Sequence, residues 1–388
     1  MIKLHAELIW PGCAQGRYTI KAKGYFLAVL RWGNGEEAFD NWSPFAYVPI
    51  DPAGNGTFFF SGMRGIPPDI SHIWARCYAH DFSSYEDTSI EIPSKYLIDY
   101  ARSENAYHFS ILTDLHMAAK PWKIRQALRA AQSHTVFLLG DSTNDGFPDQ
   151  FIDFQACIEA IAPDQVFFSV TGNHDVLHAL RPDAADGCKN YAAFQNDLLM
   201  KAESKGYAVA YAPDNRAYSV WIGDLDVIGL QCVITGRKFL FPDGVQIDWL
   251  EKHLAETTAS WHVILCHAPL LKHNPNRNDG VPYLDKNKRI QEIVDKHGHI
   301  IFLNGHTHVS PNALRGNAEY DAAHRNIYLD CGSVVPTDIS GESGLMAPDW
   351  KDGCITELSV SDHSVEICMC SIDSGTKFSR GYYLFMIP

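Results

Sequence analysis

Residues 135–146 read TVFLLGDSTNDG and residues 166–175 read VFFSVTGNHD. Each stretch opens with a short run of β-branched and aromatic residues suited to a buried strand, then breaks at a glycine into polar residues. Similar apolar runs stand at 108–113, 225–233, 262–266 and 300–303. Between them, apolar residues recur at helical spacing over 122–133, 149–161, 191–204, 245–256 and 289–297. Ile247, Leu250 and Leu254, for example, fall on one helix face. Pro121, Pro148 and Pro242 stand where helices should begin. Strands alternating with helices predict an α/β domain. Beyond Asn326 the runs 327–330, 355–360 and 365–369 predict a second sheet packed on the first.

Upstream, the pattern changes. Residues 18–32, 57–60, 73–79 and 88–92 are rich in aromatic and β-branched residues, punctuated by Gly33-Asn34-Gly35 and Gly54-Asn55-Gly56. Such triplets favour hairpins, and no amphipathic helix intervenes. The expected division is an all-β sandwich of the immunoglobulin or fibronectin kind over 1–103 and an α/β domain over 104–388. The aromatics Trp32, Trp42, Phe45, Tyr47, Phe58, Phe59, Phe60 and Trp74 suit a sandwich core, with a carbohydrate-binding platform as the other reading.

The chain has 388 residues, long enough to bury large cores without covalent staples. Thirty-two Lys and Arg face 46 Asp and Glu, a net charge of −14. That balance repels a nucleic-acid duplex and favours a small substrate, while leaving room for phosphorylated ligands where metal ions supply local positive charge. The longest apolar runs, such as 25–30, fall far short of the roughly 20 residues needed to cross a bilayer. The first twenty residues lack a basic start followed by an apolar block. Ten cysteines are scattered from Cys13 to Cys370 without a Cys-x-x-Cys pair. A cytoplasmic location with no membrane partner is therefore expected, and monomer and homo-oligomer both stay open.

Chemistry concentrates directly after the strands. The residues there are Asp114-Leu115-His116, then Gly140-Asp141-Ser142-Thr143-Asn144, then Gly172-Asn173-His174-Asp175, then His267, then Gly305-His306-Thr307-His308. Five strand ends thus deliver metal-competent side chains on the carboxyl side, where open α/β sheets build their sites. Imidazole, carboxylate and carboxamide form an N/O donor set without thiolate, suited to Mn, Fe, Zn or Ni. Asp-x-His and His-x-His put alternate side chains on one side of an extended segment. The glycines at 140, 172 and 305 are expected to let the backbone turn sharply. His5, His72, His80, His253, His262 and His363 lack any such context.

These five blocks, in this order, resemble the calcineurin-like metallophosphoesterases; the resemblance covers roughly residues 106–388 and implies a four-layer α/β/β/α fold of two packed mixed sheets. It implies a two-metal site: Asp114, His116 and His308 on one ion, Asn173, His267 and His306 on the other, Asp141 bridging. It also implies in-line attack on phosphorus by a hydroxide bridging the ions, with His174 as proton donor to the leaving oxygen. One position departs from the family pattern. A carboxylate often stands three residues after the bridging Asp, and here that residue is Asn144, whose carboxamide is expected to orient His174. Purple acid phosphatases carry Tyr there and lack the His corresponding to His116, so this chain is unlike that branch.

The implied activity is hydrolysis of a small phosphodiester or phosphomonoester, including nucleotides and cyclic nucleotides. A scaffold retaining the fold and a nuclease are the alternatives. His178 and Arg277 are candidate substrate contacts: His178 lies one helical turn from His174, and Arg277 can grip phosphate oxygens bidentately from a polar loop beyond His267. The stretch 183–214 is a candidate cap over the pocket.

Overall fold

A computed structural model describes residues 2–9, 16–33, 46–60, 72–91, 106–176, 187–235, 238–241, 244–270, 283–284, 287–311, 317–336, 352–373, 375 and 377–387. The chain divides into two units, Met1–Glu104 with Lys377–Tyr382, and Asn105–Thr376 with Tyr383–Pro388.

In the first unit, strands Lys3–Ile9, Gly16–Lys21 and Asn55–Phe60 form one antiparallel sheet. Strands Ala46–Pro49, Leu27–Gly33, His72–Tyr78 and Tyr85–Glu91 form another. The two share a core of Leu4, Tyr18, Ile20, Leu30, Val48, Ile73 and Cys77. Tyr18 sits directly opposite Phe58 and stacks on it at 4.8 Å, the cross-strand pairing that favours aromatic residues in sheets. Trp32 joins this core, whereas Tyr47 points to solvent at 64% exposure. Trp42 and Phe45 lie outside the described residues.

The second unit holds two mixed sheets. The first runs Val166–Ser169, Thr135–Leu138, Tyr107–Leu112, Cys354–Val360 and Ser364–Ser371. Its first three strands are parallel. The second sheet runs Val209–Tyr211, Tyr218–Ile222, Leu225–Gly229, Trp261–Leu265, Ile300–Asn304, Asn326–Asp330 and Ala318–Asp321, with a parallel centre from 225 to 330.

Helices α1 (Pro121–Ala130), α2 (Pro148–Ile161) and α3 (Gly187–Ser204) cover the first sheet through Ile124, Leu128, Phe151, Phe154, Tyr191 and Phe194. Helices α4 (Val245–Glu256) and α5 (Asn287–His297) cover the second through Ile247, Leu250, Ile290 and Val294. Val136 and Leu138 face the first helical layer, yet Phe109, Ile111 and Phe137 on the opposite face are also buried. A sheet buried on both sides requires a further layer, and the expected α/β/β/α order holds. Pro121 and Pro148 each occupy the first helical turn, where their missing N–H costs nothing. The stretch 183–214 is no cap as far as it is described: α3 lies in the core of the first helical layer, because Tyr191, Phe194 and Leu198 repeat at helical spacing and bury together. Among the described residues, no helix is long and apolar enough to cross a membrane.

Two histidines without motif context prove to be structural anchors. His262 is register-paired with Asp226 on neighbouring parallel strands, and His253 reaches down from α4. Both meet the same buried oxygen, Asp226 Oδ2, at 2.8 and 2.9 Å, while Ser219 donates to Oδ1 at 2.5 Å. Burial alone would raise the Asp226 pKa, but the hydrogen bonds from His253, His262 and Ser219 hold it well below the usual carboxylate range. A carboxylate depressed on folding contributes stability above its unfolded pKa and loses it as pH falls through the folded value. Asp226→Asn is therefore expected to cost about 2 kcal/mol at pH 7. That deficit should narrow in urea melts taken below about pH 3.9, where the unfolded carboxyl is protonated in any case. A deficit that is constant with pH would contradict this account.

Candidate metal centre

The parallel strands of both sheets end at one edge, and their carboxyl ends carry the site. From the first sheet come Asp114 and His116 after Tyr107–Leu112, Asp141 after Thr135–Leu138, and Asn173 with His174 after Val166–Ser169. From the second come His267 after Trp261–Leu265, and His306 with His308 after Ile300–Asn304. Backbone hydrogen bonds continue past the strands. Asp114 N–H donates to Gly140 O at 3.1 Å, His116 N–H to Asp141 O at 2.9 Å, and Gly305 N–H to His267 O at 3.2 Å. The sheets are also stitched together here, through Val334 N–H to Thr113 O and Val335 N–H to Asp114 O.

These side chains converge as two sets of metal-competent atoms: Asp114, His116, Asp141 and His308 in one, Asp141, His267 and His306 in the other. Asp141 belongs to both. Its Oδ1 accepts the His174 backbone N–H at 2.7 Å, which leaves Oδ2 between the sets, 3.3 Å from His267 Nε2 and 4.0 Å from His116 Nε2. Asn173 Oδ1 completes the second set, 3.2 Å from His267 Nε2 and 3.0 Å from His306 Nδ1.

The donor atoms suit a cation on grounds of tautomer alone. His267 Nδ1 faces the Leu139 carbonyl oxygen at 2.6 Å, and since a carbonyl only accepts, Nδ1 carries the hydrogen. In a neutral ring, Nε2 then turns a lone pair toward two more acceptors, Asn173 Oδ1 and Asp141 Oδ2. Only positive charge between them relieves that. Asp114 repeats the pattern. Its Oδ2 accepts from Thr113 Oγ1 at 2.8 Å and His306 N–H at 3.1 Å, while buried Oδ1 faces His308 Nε2 at 3.1 Å. Ser333 Oγ meets the other ring nitrogen of His308 at 3.0 Å, the outer-layer contact that orients a ligating imidazole.

The electrostatics agree. Burial opposes ionisation of Asp114 and Asp141, yet His308 beside the first and His267 beside the second hold both carboxyls well below their usual range. His267 is pushed up to about 10: burial works against its charge, and the adjacent Asp141 outweighs it. His116, lying farther from Asp141, is brought down to about 4 by burial.

Five of these residues have left-handed backbones: Asp114, His116, Asp141, His306 and His308, with φ between 49° and 69°. Non-glycine residues rarely adopt that region, and such strain clusters at functional sites. The glycines work differently from expectation. Gly140 does take a positive φ of 86°, but Gly172 and Gly305 do not. They are needed for close approach: a Cβ on Gly172 would land on the backbone nitrogen and Oδ1 of Asp141, and one on Gly305 would strike Thr113 Oγ1.

His174 lies beside the first set, its ring edge-on to His116 at 4.6 Å. The expected Asn144 carboxamide contact is replaced by a backbone one: His174 Nδ1 meets Asn144 O at 2.6 Å, and the carboxamide instead donates to Asp145 Oδ2 at 3.0 Å. The reason is the loop: Gln150 Oε1 accepts the backbone N–H of both Asn144 and Asp145, turning the Asn144 carbonyl toward the imidazole. Asp175 secures the neighbouring loop, accepting from Thr143 N–H, Thr143 Oγ1 and Gly172 N–H at 2.9–3.0 Å. Burial first, then the nearby Asp141 charge, raise its pKa to about 6. Its structural role was hidden in the motif. His178 and Arg277 lie outside the described residues.

Residues 107–310 match the Calcineurin-like phosphoesterase family, and the chain belongs to it. It is a hydrolase of phosphoester bonds. A protein of Rhodococcus erythropolis named "Probable cyclic nucleotide phosphodiesterase" is 22% identical over 265 residues, covering 64% of this chain and 78% of that relative. A solved structure of PhoD aligns over 99% of this chain and 91% of its own at 10% identity and TM-score 0.46. The structure titled "GAP50 the anchor in the inner membrane complex of Plasmodium" aligns over 73% and 88% at 13% identity and TM-score 0.46.

Gly172→Ala tests the close approach. Its methyl group must displace Asp141, so the purified variant should retain less than about a tenth of wild-type metal affinity, as measured by equilibrium dialysis. Wild-type affinity would contradict the packing described.

Proposed function

We propose that this chain is a dinuclear metal-dependent phosphodiesterase for small substrates, cyclic nucleotides among them. The observation that carries the reading is the sharing of Asp141 Oδ2 by two sets of buried ligand atoms. Asp114, His116, Asp141 and His308 would hold one ion; Asp141, Asn173, His267 and His306 would hold the other. The N/O donor set suits Mn, Fe, Zn or Ni. Bound there, a pair of ions supplies Lewis-acid activation of water and of the phosphoryl group.

The protein's own groups do the rest. The Leu139 carbonyl and Ser333 Oγ fix the imidazoles they touch, so that donor atoms need not reorganise during reaction. His174, with Nδ1 held by the Asn144 carbonyl, is left with Nε2 to carry a proton to the leaving oxygen. A neutral carbonyl orients the ring without stabilising an imidazolium as a carboxylate would, which suits ester leaving groups that need little protonation. The net charge of −14 and the name of the Rhodococcus relative support a small diester over a polymer. Cys77, Cys157, Cys188, Cys232, Cys266, Cys331, Cys354, Cys368 and Cys370 are all free thiols, which supports a reducing, cytoplasmic setting.

The test is a substrate panel with EDTA-treated, Mn-reloaded protein: p-nitrophenyl phosphate, its bis ester, and 2′,3′- and 3′,5′-cyclic nucleotides. The expected result is EDTA-sensitive turnover with higher kcat/KM on the bis ester and at least one cyclic nucleotide than on the monoester; faster monoester hydrolysis overturns the diester assignment. Within the same assay, His174→Ala should lower kcat by about 10²–10⁴-fold. Asn144→Ala keeps the orienting carbonyl, so it should stay within about tenfold of wild type. An equal loss in both variants would return the role to the carboxamide.

A further inference from the structure

The two ligand sets have unlike walls. His267 and His306 both lie edge-to-face against Phe239, with ring centroids 5.8 and 4.9 Å away and planes at 72° and 89°. Among the described residues, the ring contacts of His116 and His308 are with His174 and with each other. Phe239 is fully buried, on the short strand Lys238–Leu240 that pairs with Val233–Thr235. The segment carrying it is clamped at its base. Gln231 N–H donates to Gln246 Oε1, and Gln246 Nε2 donates back to Gln231 O, both at 2.9 Å. The Gln231 side chain reaches the other way, its Oε1 accepting from Thr171 N–H at 2.7 Å and Thr171 Oγ1 at 2.8 Å. Thr171 stands two residues before Asn173. One buried clamp therefore ties the segment carrying Phe239 to the loop carrying the third ligand of the same set.

We propose that Phe239 is a positioning residue for one ion alone, the one held by Asn173, His267 and His306. This rests on the two-ion reading above. The aromatic ring fixes the planes of the two imidazoles by edge-to-face contact and keeps water from their flank. The hydrogen bond from His267 to Leu139 and the clamp through Gln231 set the rest of the geometry. Among the described residues, His116 and His308, which would hold the other ion, make no contact with Phe239 or another aromatic wall.

The experiment is a Mn(II) titration of full-length, EDTA-treated protein, followed by calorimetry and electron paramagnetic resonance. Wild type, Phe239→Leu and Phe239→Met are compared; the two replacements fill the site without a ring, so that one misfolded variant leaves the other to report. Wild type should bind two ions and show the spectrum of a coupled pair. The variants should keep one affinity within about twofold, lose about tenfold in the other, and show a single uncoupled ion at one equivalent. Equal weakening of both ions, or wild-type titration by both variants, overturns the role of Phe239 and leaves the two-ion reading standing. A wild type that binds fewer than two ions overturns that reading and this inference together.

Discussion

One carboxylate governs the geometry of this protein. Asp141 must offer one oxygen to the His174 backbone and the other to the centre of the site, and both distances are near 3 Å. Meeting that demand requires a left-handed residue at 141, a left-handed glycine before it, and a missing side chain at 172. Strained residues of this kind cost about 1–3 kcal/mol each, and five among the side chains of the two sets carry such strain. That sum rivals the net stability of an ordinary domain. The surrounding structure must over-determine the site, and it does so by extending β-like hydrogen bonding beyond the strand ends. Asp114, His116 and Met117 each donate to the segment after the neighbouring strand.

Charge follows from the same arrangement. Two buried carboxylates within reach of one another repel, and desolvation should neutralise them. Imidazoles and backbone N–H groups surround them and hold both carboxyls below their usual range, and Asp141 in turn pushes His267 up. The site is therefore built to be completed by positive charge. The acidity of the whole chain works at longer range, where it discourages polyanions, and does not set the sign of the field at the centre.

What could be read beforehand had a short-range signature. Alternating apolar runs and helical periodicity revealed the two sheets and their helices, and the motif residues could be named because each directly follows a strand. Other features left no local trace. The strands Val209–Tyr211 and Lys238–Leu240 are too short to show a period, so the wall formed by Phe239 was invisible. Asn144 was read by side-chain type, whereas its main-chain oxygen is what meets His174, an outcome decided by Gln150 on the following helix. His253 and His262 seemed ordinary because their partner, Asp226, is fixed by strand register rather than by sequence proximity. The Lys3–Ile9 strand was legible in principle, since its sequence alternates Leu4, Ala6 and Leu8 with Lys3, His5 and Glu7.

The division of ligands between the sheets gives the centre a mechanical role as well as a chemical one. Asp114, His116, Asp141 and Asn173 come from the first sheet, and His267, His306 and His308 from the second. Neither set in the centre can be assembled from a single sheet, since His308 completes one and His267 with His306 the other. Any cation bound by such a set is thus a cross-link between layers that also meet through apolar contact, backbone hydrogen bonds and side-chain bonds such as those of Gln231 with Thr171 and Tyr218 with Ser169. Its binding energy acts on the packing of the two sheets, because only the packed form presents the ligands together. Conversely, anything that lets the sheets slide separates the two halves of each set at once. The precision needed for catalysis and the integrity of the sandwich are therefore one requirement, enforced at the edge where both sets of strands end.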